Sequence, residues 1–144
     1  MQTRYYSNGE HTVSILYLAV RHRRPSWFVK KLLGKIPAFE QWDPVLTVAV
    51  SCDYADDVIK TLIEKGANVN APYTTYEYIR NSGNGNVRSR KEHTTTALYA
   101  AVEKKRLNVV KMLLANGADA DWKSPEGKSI RDLGTTSQIR ALLK

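Results

Sequence analysis

The chain has 144 residues, 42% of them hydrophobic, enough to build one compact unit or a short array and to exclude global disorder. No apolar run approaches the roughly 20 residues of a membrane-spanning helix, and the opening MQTRYYSNGEHT lacks the charged-then-apolar layout of a secretory signal. The net charge is +8, and Cys52 is the single cysteine, which leaves no intrachain disulfide or cysteine metal cluster and points to a reducing intracellular compartment, cytoplasmic or nuclear.

The first element is carried by LYLAV at 16–20. Five apolar residues do not separate a buried strand from a helix turn, but the residues after them do. Beyond the polar RHRRP comes a second apolar run, Phe28, Val29, Leu32 and Leu33, at the spacing i, i+1, i+4, i+5. That spacing lays one apolar stripe along a helix. The pattern returns with LTVAV at 46–50 followed by Val58, Ile59, Leu62 and Ile63, and again with LYAAV at 98–102 followed by Val109, Val110, Leu113 and Leu114. The first two units align without a gap at an offset of 30; the third aligns once one turn residue is removed. A helix–turn–helix unit recurring at this period predicts a stacked array in which no unit buries its apolar face alone.

The connectors are as regular as the helices. GANVNA at 66–71 and GADADW at 117–122 come after the second helices, and Gly66 and Gly117 stand where a helix C-cap requires positive φ. The first unit has GKIPAF in this place. The closing GKSIRDLGTTSQIRALLK, 127–144, is expected to form a short, polar-edged helix pair that caps the array.

Residues 96–121, TALYAAVEKKRLNVVKMLLANGADAD, resemble the ankyrin repeat, whose pattern is T-P-L-H-x-A, a turn, V-V-x-L-L and G-A-D-V-N-A. Thr96, Leu98, Ala101, Leu107, Val109, Val110, Leu113, Leu114, Gly117, Ala118 and Asp119 fall on its positions. The resemblance implies an all-α repeat solenoid of about four helix–turn–helix units with β-hairpin fingers. The units would run over about 10–42, 43–72, 94–121 and 122–144 of a single ankyrin repeat domain, 1–144. It also implies a protein–protein interaction module without catalysis or cofactor, binding through finger tips and the concave face of the first helices. Small arrays of this kind also serve as host-targeting effectors. One departure bears on stability: the pattern's His, which braces neighbouring loops, is replaced by Tyr17, Thr47, Tyr99 and Arg131, so the brace must be weaker or different.

The second connector carries about 19 extra residues, an insertion at about 73–93. Thr75, Glu77 and Ile79 alternate with Tyr76, Tyr78 and Arg80, a strand pattern, and 81–86 is NSGNGN, a turn. An elongated finger is expected, with about 74–81 paired to 86–93. Its residues Tyr76, Tyr78, Arg80, Arg88 and Arg90, with Trp122 of the next connector, are the candidate site for an acidic protein partner of a monomeric chain, since aromatic residues are enriched in binding hot spots. The alternative is nucleic acid, with tyrosines stacking on unpaired bases beside the arginines and the clusters RHRR at 21–24, KK at 30–31, RSRK at 88–91 and KKR at 104–106 meeting phosphates. Phe39 and Trp42 are expected to pack beneath the loops of the first unit.

No catalytic or metal constellation is read from the chain. His11, His22 and His93 stand beside neither Cys52 nor a carboxylate pair, NSGNGN is not followed by the Lys-Ser/Thr of a phosphate loop, and no metal-ligand spacing occurs. Cys52, at an apolar-to-turn boundary, reads as structural, and His22 as solvated.

Overall fold

The computed structural model describes residues 15–36, 44–80, 87–133 and 135–144, with the side chains of Ile79, Arg80, Val87 and Arg88 outside that set. Three helix pairs match the three recurrent stripes: α1 Ile15–Arg21 and α2 Ser26–Leu33, α3 Val45–Ser51 and α4 Asp56–Glu64, α5 Ala97–Glu103 and α6 Leu107–Ala115. Between α4 and α5 stand β1 Tyr73–Arg80 and β2 Val87–Thr95, and α7 Ser137–Leu142 closes the described chain. First helices pack on first helices (α1 on α3, α3 on α5) and second helices on second helices (α2 on α4, α4 on α6, α6 on α7), giving two layers around one core. Ala19, Ala49 and Ala101 are buried, where a small side chain lets neighbouring helices approach.

Each helix-to-helix turn closes in the same way. Arg23 N–H donates to Val20 O and Arg24 N–H to Ala19 O; Asp53 and Tyr54 do so to Val50 and Ala49, and Lys105 and Arg106 to Val102 and Ala101. This is the Schellman closure, and its pivotal residue is left-handed: φ is 52° at Arg23, 61° at Asp53 and 57° at Lys105. The second helices α4 and α6 end in the same closure, with Gly66 and Gly117 as pivots at 85° and 83°.

A ladder of side chains ties the turns together. The Tyr54 hydroxyl donates to Arg24 O at 2.7 Å, and Arg106 Nη2 donates to Tyr54 O at 2.6 Å and to Asp56 Oδ1 at 2.5 Å. Residues 24, 54 and 106 are the same position in successive repeats, so each side chain reaches the backbone of its counterpart one repeat earlier. The second helices are joined by Lys30 with Asp57, and the turns again by Lys104 with Asp53 at 2.8 Å.

The substitutes for the family's loop brace are of several kinds. The Thr47 hydroxyl, buried, donates to Ala71 O at 2.7 Å. Tyr99 meets the edge of Trp122 with ring centroids 5.5 Å apart, Tyr17 meets Tyr73 at 6.4 Å, and Arg131 pairs with Asp121 at 2.8 Å. A hydroxyl, two ring contacts and an ion pair stand where the family pattern uses one residue type. Asn70 adds a connector-to-connector link, donating to Gly117 O at 3.0 Å and accepting from Asp119 N–H at 2.8 Å.

The last unit departs from the expected helix pair. Its first element is a 3₁₀ turn of three residues, Ile130–Asp132, opened by a reciprocal Ser129–Asp132 capping box and ended where Leu133 turns extended. Ile130 is nonetheless fully buried against α5, and α7, capped by Thr136, buries Ile139. The expectations for Phe39, Trp42, His11 and the 81–86 turn lie outside the described residues.

Candidate interaction surface

The finger is a two-stranded antiparallel ribbon, one residue longer at its base on β1 and two on β2 than the alternation alone predicts, in the register Tyr73↔Thr95 through Ile79↔Ser89. The base is set by Tyr73, which is buried against Tyr17 and so anchors the ribbon to the core. The register slips by one residue between Ile79 and Arg80, so Arg80 faces Val87.

Opposed residues share a face, so Thr74, Tyr76 and Tyr78 lie with Thr94, Glu92 and Arg90. The Thr74 and Thr94 hydroxyls bond at 2.9 Å. Tyr78 is 56% exposed and Tyr76 38%. The Arg90 guanidinium lies over the Tyr76 ring, 4.6 Å from its centroid, and also donates to Glu92 Oε1 at 2.7 Å. A cation over an aromatic face keeps its charge available while fixing its position. This face therefore presents two exposed phenols and a held guanidinium, with one carboxylate already engaged.

Of the six residues singled out in the sequence, the structure brings Tyr76, Tyr78 and Arg90 onto one surface. Arg80 and Arg88 lie in the strands, their side chains outside the described set. Trp122 sits on the body, half-buried against Tyr99 and the core.

Sequence reasoning misses the other face of the ribbon. Thr75, Glu77, Lys91 and His93 lie on it, and His93 joins three segments: Nε2 is 3.7 Å from Glu77 Oε2 on β1 and Nδ1 is 3.5 Å from Glu126 Oε1 in the third connector. Only the register places Glu77 beside His93; the separation of 16 in sequence carries no signal. Beneath this face lies a cleft of about 470 Å³, lined by Thr75 and His93 of the ribbon, Tyr99 and Glu103 of α5, and Ser124 and Glu126 of the third connector. Burial pushes the Tyr99 phenol up, and the carboxylates of Glu103, Glu126 and Asp132 add to this, so it stays a neutral hydrogen-bonding group in the cleft. Cys52, half-buried, caps α3 as a free thiol, and His22 is exposed. Among the described residues no group of three His, Cys, Asp or Glu is placed to hold a metal ion, and no helix is long and apolar enough to cross a membrane.

Comparison with known proteins agrees with this geometry. The family described as Ankyrin repeats (3 copies) matches residues 16–124. Among solved structures, the ankyrin repeat domain of Bcl-3, a member of the IkappaB protein family, superposes with a TM-score of 0.59 at 20% identity, over 95% of this chain and 57% of that one. The human ASB11 ankyrin repeat domain gives 0.60 at 22% identity, over 91% of this chain and 53% of that one. The chain thus spans a little over half the length of these domains, and the likeness is one of fold. No match is found among curated proteins. Ankyrin repeats are generally non-enzymatic protein–protein interaction modules. The stacked helix pairs, the shared turn closure, the glycine-pivoted connectors and the family match over 16–124 lead to one conclusion: this chain belongs to the ankyrin repeat family.

Proposed function

We propose that this chain is a non-catalytic binding module, a single array acting as a monomer inside the cell, that grips an acidic protein partner through its elongated finger. The observation that carries this reading is the Tyr76–Tyr78–Arg90 face: two exposed phenols and a positioned guanidinium on a ribbon anchored to the core through Tyr73. Tyrosine supplies contact area at low entropic cost, and a net charge of +8 steers acidic partners toward it. Arg80 and Arg88 on the same ribbon, and Trp122 in the next connector, extend the site.

The test is affinity capture with the intact chain and with 74–92 deleted, each with and without nuclease, read by mass spectrometry. The expected outcome is an acidic protein that survives nuclease and disappears with the deletion, while circular dichroism keeps its helical signal. Capture that vanishes with nuclease transfers the site to nucleic acid. A partner retained by the deletion removes the finger from the account. Tyr78→Ala is expected to weaken the same partner by about 1–2 kcal/mol, read by calorimetry.

A further inference from the structure

Among the described residues, nothing stacks on one face of the first repeat. Four positions are buried in both the second and the third unit: Val45, Val48, Val58 and Leu62, and Ala97, Ala100, Val109 and Leu113. Their equivalents in the first unit are Ile15, Leu18, Phe28 and Leu32. Ile15 is 72% and Leu18 43% exposed, and Phe28 and Leu32 are half-buried. Trp27, at a position occupied by Asp57 and Asn108 in the later units, is 67% exposed and meets Phe28 edge-on at 5.8 Å. The outcome is a contiguous aliphatic and aromatic patch on α1 and α2, where an array end normally turns a polar face to water.

The border of the patch is cationic. Arg23, Arg24 and Lys31 are exposed, and none pairs with a carboxylate among the described residues. The neighbouring acids are already engaged: Asp53 by Lys104, Asp56 by Arg106 and Asp57 by Lys30. A second copy of this chain would bring the same cations against these, on a chain already at +8.

We infer that the α1–α2 end of the array is a second docking surface, whose occupant is an amphipathic helix of a partner protein, aliphatic on one face and acidic along its border, seated where a preceding repeat would pack. Two independent features select this occupant. The patch continues the interface by which α3 packs on α1 and α5 on α3, so its shape suits a helix. Its unpaired cations select carboxylates at the edge of that helix. This surface stands apart from the finger, so its failure leaves the finger reading intact.

The probe is a fluorescein-labelled helical peptide with a Leu/Ala face bordered by Glu, compared with the same peptide bordered by Lys, both titrated against the full chain by fluorescence anisotropy. The Glu-bordered peptide is expected to bind and the Lys-bordered one to bind at least about tenfold more weakly. Leu18→Glu should weaken the Glu-bordered peptide by about tenfold or more. Arg23→Glu with Arg24→Glu should lower the preference for Glu over Lys, and Tyr78→Ala on the finger should leave it unchanged. Circular dichroism controls for folding, which an exposed position such as Leu18 tolerates. Failure of the Glu-bordered peptide to bind, or binding indifferent to Leu18→Glu, overturns the inference. A dimer in sedimentation that Leu18→Glu dissolves assigns the surface to a second copy instead, and binding that appears only after deletion of 1–14 assigns it to that segment; either also overturns it.

Discussion

The two ends of this array solve the same problem differently. At the α7 end, the last unit is cut down to a 3₁₀ turn and a six-residue helix; Ile130, Ile139 and Leu143 are buried, Ser137, Gln138, Arg140 and Lys144 face water, and Leu142 is 36% exposed. At the α1 end, a full helix pair keeps the apolar residues of an internal repeat and leaves Ile15, Leu18 and Trp27 exposed. One end of the described chain is shortened and largely polar; the other keeps an internal pattern with no described repeat stacked on it. Burial in a solenoid thus belongs to a pair of neighbours rather than to a repeat, and similar side chains are core or surface according to what stacks on them.

The contrast can be broken most forcefully at equivalent positions of consecutive first helices. Val48→Glu buries a carboxylate in the α1–α3 contact and is expected to cost about 4 kcal/mol or more, enough to unfold a marginal array, whereas Leu18→Glu should stay within about 0.5 kcal/mol in chemical denaturation. Equal losses at the two positions would mean that α1 is covered in solution. Next in size, Ile130→Ala empties a fully buried site and should cost about 2–4 kcal/mol. Hydrogen exchange should then show α7 and α6 losing protection first, with α1 and α2 last; uniform loss would deny that the closing unit acts as a separate cap. Ser129→Ala removes the capping box and should cost about 1 kcal/mol, seen as a lowered denaturation midpoint with an unchanged slope.

The smallest effect is acid-dependent and separates the ends by location. Hydrogen bonding from Lys30 holds the Asp57 carboxyl below the usual carboxylate range, and hydrogen bonding from Ser129 does the same for Asp132. Both groups are depressed in the folded chain, so their contribution is complete above the ordinary carboxylate value of about 4 and is lost as pH falls through the lower, folded value. Exchange measured through an acid titration should show Asp57→Asn flattening the response at the α2–α4 contact alone and Asp132→Asn at the 3₁₀ turn alone. A change at both sites from either substitution would contradict this local assignment.

The helix pairs are legible in the sequence because each combines a recurring apolar stripe with a turn at fixed spacing, and the finger because Thr75 to Arg80 alternates before a turn-rich segment. Three things are not legible, each for a physical reason. The finger's register depends on Tyr73 finding Tyr17, two residues 56 apart in sequence, and with it the meeting of His93 with Glu77 and Glu126. The last unit's first element reads as helical because Ile130 occupies a core position, yet Leu133 turns extended and ends it after three residues. The open flank at α1 is invisible because Ile15 and Leu18 are as apolar as Val45 and Val48; only the packing distinguishes them. Trp122, grouped by sequence with the finger tyrosines as a contact residue, packs on Tyr99 as one of the substitutes for the family's loop-bracing residue.

The turn ladder has a consequence for how such a chain can grow. Tyr54 and Arg106 each bond the backbone carbonyl of their counterpart one repeat earlier, and a carbonyl is present whatever residue occupies that position. The requirement for a donor therefore falls on the later repeat alone. A duplicated unit brings its donor with it and finds an acceptor already waiting, so a gene can lengthen the array by copying one segment without first adjusting the segment it lands on.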